Sequence, residues 1–367
     1  MKRIIISGGG TGGHIFPAIS IADALKRSGT ECEILFVGAQ GKMEMERVPK
    51  AGYRIIGLPV AGLQRNLSLK NLLLPFKVMD SLRRAKAIIR DFKPDVAVGV
   101  GGYASAPLLM AASSMKIPCL IQEQNSFAGL TNKKLGSKVQ KICVAYDKME
   151  RFFPADKIIF TGNPIRGDIN PPTPAQRSEG YEYYGLDPDK KTIFVVGGSL
   201  GARTLNESVQ KWIVEKSAGA GFQILWQSGK YYKSGIEAFL KEHPASNVKN
   251  YTFIDRMDLA YAVADVIISR AGAGTISELC VEGKATIFVP SPNVAEDHQR
   301  HNAMALVEKN AAMMVLDADA REKLMDTATA LLADSEKIAS MEREILKLGK
   351  KNAAADIARE VLKLCEN

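Results

Sequence analysis

Ile4-Ile5-Ile6-Ser7-Gly8-Gly9-Gly10-Thr11-Gly12-Gly13-His14 opens the chain, and Phe194-Val195-Val196-Gly197-Gly198-Ser199 repeats its plan near the midpoint. In each, a short β-branched or aromatic run ends in glycines and leads into a helical pattern, which reads as strand, tight turn, helix. That is the opening of a doubly wound α/β domain, and it occurs twice. Working outward, strands are expected at 3–7, 33–37, 95–99, 119–122, 142–145, 192–196, 223–226, 266–269 and 286–289, alternating with amphipathic segments. Such alternation predicts parallel sheets with helices on both faces. A length of 367 residues suits two cores. The expected domains are 1–163 and 191–345, joined by a linker over 164–190 that holds Pro164, Pro171, Pro172, Pro174 and Pro188. A C-terminal helix over 346–367 could pack back on the first domain.

Hydrophobic and charged fractions of 46% and 24% are those of a folded globular chain and exclude collagen-like and disordered classes. The net charge of +9 is unevenly spread: residues 1–165 hold 24 Lys+Arg against 12 Asp+Glu, and residues 166–367 hold 25 against 28. A basic first half can receive nucleic acid, anionic lipid or a phosphorylated substrate, and charge alone does not choose among them. Cys32, Cys119, Cys143, Cys280 and Cys365 lie too far apart for a C-x-x-C pair and are expected as reduced thiols in a cytosolic protein. Ile4–Ile6 is too short a run for a signal peptide. Val96–Met115 is uncharged, but Gly99, Gly101, Gly102, Ser105 and Pro107 divide it into strand, turn and helix rather than a membrane span.

The Gly8–His14 turn is expected to accept phosphate on its amides, with a helix starting at Pro17; the bland alternative is glycine needed only for packing. Gly8, Gly10 and Gly13 satisfy G-x-G-x-x-G, yet the second strand ends in Gly38-Ala39-Gln40 where a dinucleotide site has an acid. No Walker A lysine follows. Two further turns, Gly197–Arg203 and Arg270–Glu278, end strands of the second half and favour a diphosphate. Glu278 can accept from two vicinal ribose hydroxyls, or simply suit a helix N-terminus. Asp187-Pro188-Asp189 reads as a turn rather than a metal-binding Asp-x-Asp. His298 and His301, with Glu296 and Asp297, lack a convincing third ligand.

Gly8–His14, Gly101-Gly102-Tyr103, Glu123-Gln124-Asn125, Gly162-Asn163-Pro164-Ile165-Arg166, Gly197–Arg203, Arg270–Glu278 and His298-Gln299, in this order, closely resemble the bacterial N-acetylglucosaminyltransferases that convert lipid I to lipid II in peptidoglycan synthesis. The resemblance spans nearly the whole chain. It implies a GT-B fold, two Rossmann-like doubly wound domains facing across a cleft, with the donor mainly on the second and the acceptor mainly on the first. No metal or cofactor is implied. Carried over by position, Thr11, Gly12 and Gly13 line the cleft, Asn125 faces the donor sugar, and Arg166 and Ser199 contact the donor. Ile254 holds uracil through its backbone, Ala273, Gly274 and Thr275 form the donor turn, Glu278 binds ribose, and Gln299 reads sugar hydroxyls. Ala271, Gly274 and His298 depart from the residues common in relatives.

The implied reaction is inverting transfer of N-acetylglucosamine from UDP-N-acetylglucosamine to the muramyl 4-hydroxyl of undecaprenyl-pyrophosphoryl-MurNAc-pentapeptide. Such a transfer builds negative charge on the departing diphosphate, met here by amides, Ser199 and Arg166. His14 is either the base that deprotonates the acceptor or a group that holds the glycine turn or an acceptor phosphate. Leu72, Leu73 and Phe76, flanked by Lys70 and Lys77, read either as a peripheral anchor at the cytoplasmic face of the membrane or as a helix packed in its own domain. Other cell-wall synthesis or division proteins are expected partners. The nearest rivals are a UDP-N-acetylglucosamine 2-epimerase or another GT-B glycolipid synthase. Nucleic acid is not expected, since no recognised binding motif accompanies the basic half.

Overall fold

The computed structural model describes residues 1–60, 74–167 and 169–366. It divides into two units, Met1–Gly167 with Lys350–Asn367, and Asp168–Gly349. The first contains β1 (Lys2–Ser7), α1 (Gly12–Arg27), β2 (Cys32–Ala39), α2 (Glu44–Lys50), β3 (Arg54–Leu58), α3 (Leu74–Phe92), β4 (Val96–Gly99), α4 (Ser105–Ser114), β5 (Cys119–Glu123), α5 (Leu130–Leu135), β6 (Lys141–Val144) and β7 (Ile158–Phe160). Its strands lie parallel in the order β3-β2-β1-β4-β5-β6-β7. Ile4, Ile5 and Ile6 are all fully buried. Ile4 and Ile6 enter the core beneath α1, while Ile5 enters the one beneath α4, so a sheet covered on both faces needs an unbroken apolar run. Each such side chain stabilises the fold by roughly 1.5–3 kcal/mol.

The second unit contains α6 (Pro174–Tyr184), β8 (Lys191–Val196), α7 (Arg203–Lys216), β9 (Phe222–Gln227), α8 (Lys233–Glu242), β10 (Val248–Tyr251), α9 (Met257–Val263), β11 (Val266–Ser269), α10 (Ala273–Glu282), β12 (Thr286–Phe288), α11 (His298–Val307), β13 (Met313–Met314), α12 (Asp317–Ala333) and α13 (Ser335–Lys347). Its parallel order, β10-β9-β8-β11-β12-β13, repeats the plan of the first unit. In both sheets the order reverses beside the opening strand, between β1 and β4 and between β8 and β11, where ligands gather in open α/β folds.

Four observations differ from or extend the sequence expectations. Helix α1 begins at Gly12, not Pro17, with Thr11 extended at the N-cap (φ −144°, ψ 159°). The first amides of a helix need no intrahelical partner, so Gly12, Gly13 and His14 can form its opening turn. Residues 174–184, inside the segment expected as a linker, form α6, held by a capping box between Thr173 and Gln176 with Pro174 in its first turn. The helix expected over 346–367 is not continuous: α13 ends at Lys347, and α14 (Ala353–Leu364) follows a break at Gly349, where a Cβ would meet the Cys280 carbonyl oxygen at 2.8 Å. Helix α14 belongs to the first unit and buries Ile357, Ala358, Val361 and Leu364 in the core that α1 covers. Strands β3, β7, β10 and β13 lie at or near sheet edges and were not expected.

Val96–Met115 folds as β4, a glycine turn and α4, and no helix among the described residues is long and apolar enough to cross a membrane. Burial pushes the thiols of Cys119, Cys143 and Cys280 up to about 12, which keeps them protonated and unreactive.

Candidate functional site

In the first unit the Gly8–His14 turn leaves the carboxyl end of β1 and meets the turn that follows β4. Gly102 has φ +89°, and a Cβ there would lie 2.2 Å from the Gly9 carbonyl oxygen. A Cβ on Gly101 would lie 2.7 Å from His14 Cδ2, so the imidazole rests directly on backbone. Nothing larger than glycine allows that approach. His14 is partly exposed, with Nδ1 3.1 Å from the Gly9 carbonyl oxygen and 3.3 Å from Thr11 Oγ1. Phe16 and Tyr103 are more than half exposed beside this turn.

Beneath it sits Glu44, fully buried at the start of α2. Its Oε2 accepts the Gly10 N–H at 3.0 Å and its Oε1 accepts the Ala39 N–H at 2.9 Å. The expectation of a phosphate-accepting turn therefore needs revision at Gly10, whose amide already serves a carboxylate. An anion brought there would meet a fixed negative charge.

The ends of β5 and β7 are tied by a buried amide network. Gln122 Nε2 donates to Asn163 Oδ1 at 2.9 Å, Asn163 Nδ2 donates to the Gln124 carbonyl at 3.0 Å, and Gln124 Nε2 donates to the Val100 carbonyl at 2.7 Å. Glu123 is also buried and accepts from the Asn125 and Gly129 amides and from Asn132 Nδ2. Burial pushes its carboxyl above the ordinary range, although those hydrogen bonds pull the other way. The effect is to fix the backbone that presents Asn125 and, three residues past Asn163, the exposed Arg166.

In the second unit the Gly197–Arg203 turn follows β8. Buried Gln227, at the end of β9, donates through Nε2 to the Gly198 carbonyl at 3.0 Å and accepts the Ile254 N–H through Oε1 at 2.8 Å. One side chain thereby links the turn carrying exposed Ser199 to the backbone of Ile254. After β11, Gly272 caps α10, and Ala273, Gly274 and Thr275 form its first turn, amides outward. Glu278, one turn on, is partly exposed, and the Tyr261 hydroxyl donates to its Oε2 at 3.4 Å. Arg270 is held by an ion pair with Asp317 and donates to the Val289 carbonyl at 3.0 Å. Gln299 Oε1 accepts the Ser291 N–H at 2.9 Å.

Asp187 Oδ1 accepts the Asp189 N–H at 3.0 Å, which makes that pair a turn. Among the described residues no three His, Cys, Asp or Glu side chains gather as a metal ion would require. Lys70, Leu72 and Leu73 lie outside the described residues, and Phe76 and Lys77 fall in the first turn of α3. Farther along α3, Val78 and Met79 are 46% and 67% exposed, with Arg83 and Arg84 exposed after them. Sequence reading missed Glu44, Gln227 and the role of Gln122 and Asn163, because a buried polar side chain declares itself only through its partner.

Comparison with known proteins now bears on this geometry. Residues 4–144 match the glycosyltransferase family 28 N-terminal domain and residues 192–361 match the glycosyltransferase family 28 C-terminal domain. The chain is 53% identical over 364 residues to a Parabacteroides distasonis protein, covering 99% of this chain and 98% of that one. It is 55% identical to one from Phocaeicola vulgatus, covering 99% and 96%. Both relatives are named UDP-N-acetylglucosamine–N-acetylmuramyl-(pentapeptide) pyrophosphoryl-undecaprenol N-acetylglucosamine transferase. Among solved structures, Acinetobacter baumannii MurG is similar with a TM-score of 0.80 and 26% identity, covering 99% of this chain and 100% of that one. A UDP-GlcNAc 2-epimerase from Neisseria meningitidis, bound to UDP-GlcNAc, shares the fold at a TM-score of 0.67 and 16% identity, covering 99% and 100%.

Proposed function

We infer that this chain, which belongs to glycosyltransferase family 28, transfers N-acetylglucosamine from UDP-N-acetylglucosamine to an N-acetylmuramyl-(pentapeptide) pyrophosphoryl-undecaprenol acceptor. The observation that carries the reading is full-length likeness to relatives of that activity. In the second unit, the Ala273–Thr275 amides at the N-terminus of α10 take the donor pyrophosphate, with Ser199 beside it. The Ile254 carbonyl accepts from uracil, Glu278 accepts from the ribose hydroxyls, and Gln299 reads the sugar. Thr11, Gly12, Gly13, Asn125 and Arg166 serve the donor, and His14 takes the acceptor proton. The acceptor oxygen then attacks the anomeric carbon from the face opposite UDP, and charge on the departing diphosphate is met by amides and Arg166 rather than by a cation.

The same reading puts the enzyme at the cytoplasmic leaflet, working in cell-wall growth and division. Exposed Val78 and Met79 on α3, followed by Arg83 and Arg84, support this, since apolar side chains settle at headgroup level and each basic residue near anionic lipid adds ~1 kcal/mol.

The test is a transfer assay with radiolabelled UDP-N-acetylglucosamine, the lipid acceptor and excess chelator. Label should pass to the lipid at an undiminished rate. Loss of transfer in EDTA would defeat the cation-free step, and formation of the manno isomer from donor alone would favour an epimerase.

A further inference from the structure

Gly9 and Gly10 share one peptide bond, and its two polar ends have different side-chain partners. The Gly10 N–H donates to Glu44 Oε2 at 3.0 Å, and the Gly9 carbonyl oxygen lies 3.1 Å from His14 Nδ1. A carbonyl only accepts, so Nδ1 carries the proton of neutral His14, and the lone pair resides on Nε2. Thr11 Oγ1, 3.3 Å from Nδ1, can share that proton as a second acceptor. On the other side both Glu44 oxygens accept from amide N–H groups, the hydrogen-bonding pattern of an ionised carboxylate.

We propose that Glu44 is a positioning residue for the transfer reaction, acting through the Gly9–Gly10 peptide on His14. Negative charge at the N–H end of the peptide draws its dipole into line and enriches the carbonyl oxygen, which strengthens the bond to Nδ1–H. The same charge stabilises the imidazolium that forms when Nε2 accepts a proton. In the step, the acceptor O–H gives its proton to His14 Nε2 and its oxygen bonds to the anomeric carbon. The bond from that carbon to the UDP oxygen breaks, and UDP leaves with the electron pair. Glu44 does not change protonation; it sets the tautomer and the basicity.

The close packing depends on glycine. A Cβ on Gly9 would lie 2.2 Å from Glu44 Oε1, and one on Gly101 would strike the imidazole. Among the described residues, Glu44 from α2 and the Tyr103 ring from the turn after β4 are ionisable groups that come against the turn.

The inference rests on His14 as the base, and the experiment keeps the two separate. In the full chain labelled with 15N-histidine, the His14 signals are found among those of the four histidines by comparison with H14A. Neutral His14 should show the Nδ1–H tautomer; an Nε2–H tautomer would overturn the proposal without any Glu44 variant. In folded E44Q the His14 titration midpoint should fall by about half a unit to one unit. The acid limb of kcat/KM should move down with it as the plateau drops, whereas E44D, which keeps the charge, holds the midpoint near that of the wild type. A midpoint unmoved in E44Q would overturn the coupling. Full turnover by H14A would remove the base reading alone, while the tautomer and midpoint still decide the link to Glu44.

Discussion

The turns after β1 and β8 occupy the same place in two sheets of like topology, yet they are braced by opposite chemistry. Glu44 lays a buried carboxylate under the first and takes one of its amides. Gln227 braces the second with a neutral amide that donates to a turn carbonyl and accepts from Ile254. A fixed charge beneath the first turn repels an added anion and favours a nearby cation. The neutral Gln227 amide puts no such charge beneath the second turn. A glycine-rich turn is thus a scaffold for close approach, and the group behind it sets the charge that the turn presents.

The largest expected effect lies at the first turn. His14→Ala should lower kcat by about a hundredfold to ten-thousandfold while donor Kd, from equilibrium titration with UDP-N-acetylglucosamine, stays as it was. An equal loss of donor affinity would show that the first turn is an anion site after all and erase the contrast. The next lies at the second turn. Gln227→Leu leaves the Gly198 carbonyl and the Ile254 N–H without their partner, which costs about 1–3 kcal/mol each. Donor affinity and the urea midpoint should both fall, with kcat changing less; a fall in kcat alone would show that Gln227 belongs to the chemistry. The smallest concerns the basic first unit. Val78→Ser with Met79→Ser should weaken binding to anionic vesicles by about tenfold, from the lost apolar insertion, with solution activity on a soluble acceptor unchanged. Equal sedimentation of both proteins with vesicles would leave no functional asymmetry at α3.

Much of this architecture was legible in the residues. The central strands, such as Lys2–Ser7 and Lys191–Val196, carry unbroken apolar runs because both sheet faces are covered, and that pattern needs no knowledge of neighbours. The edge strands β10, Val-Lys-Asn-Tyr, and β13, two methionines, escaped notice because they have no such run. Helix α6 could have been found, since Thr173-Pro174-Ala175-Gln176 is a written-out capping box.

Glu44 is the instructive miss. A dinucleotide-binding plan wants an acid at the end of the second strand, and its absence at Gly38-Ala39-Gln40 closed the question from sequence. The acid stands five residues past Ala39, turned inward onto its own glycine turn. Flanked by Met43, Met45 and Glu46, it reads as the surface start of a helix, and no local signal marks it as buried.

The sequence by itself determined two parallel sheets, their opening turns and the family to which the chain belongs, because periodicity, glycine spacing and motif order are local properties of the chain. Only the tertiary structure decided which polar group meets which. Glu44 reaches the amide of Gly10, 34 residues earlier, because β2 pairs beside β1, and Gln227 reaches Gly198 because β9 pairs beside β8. Hydrogen bonds between buried groups depend on strand order and register, and those emerge from packing the whole chain rather than from any one segment of it.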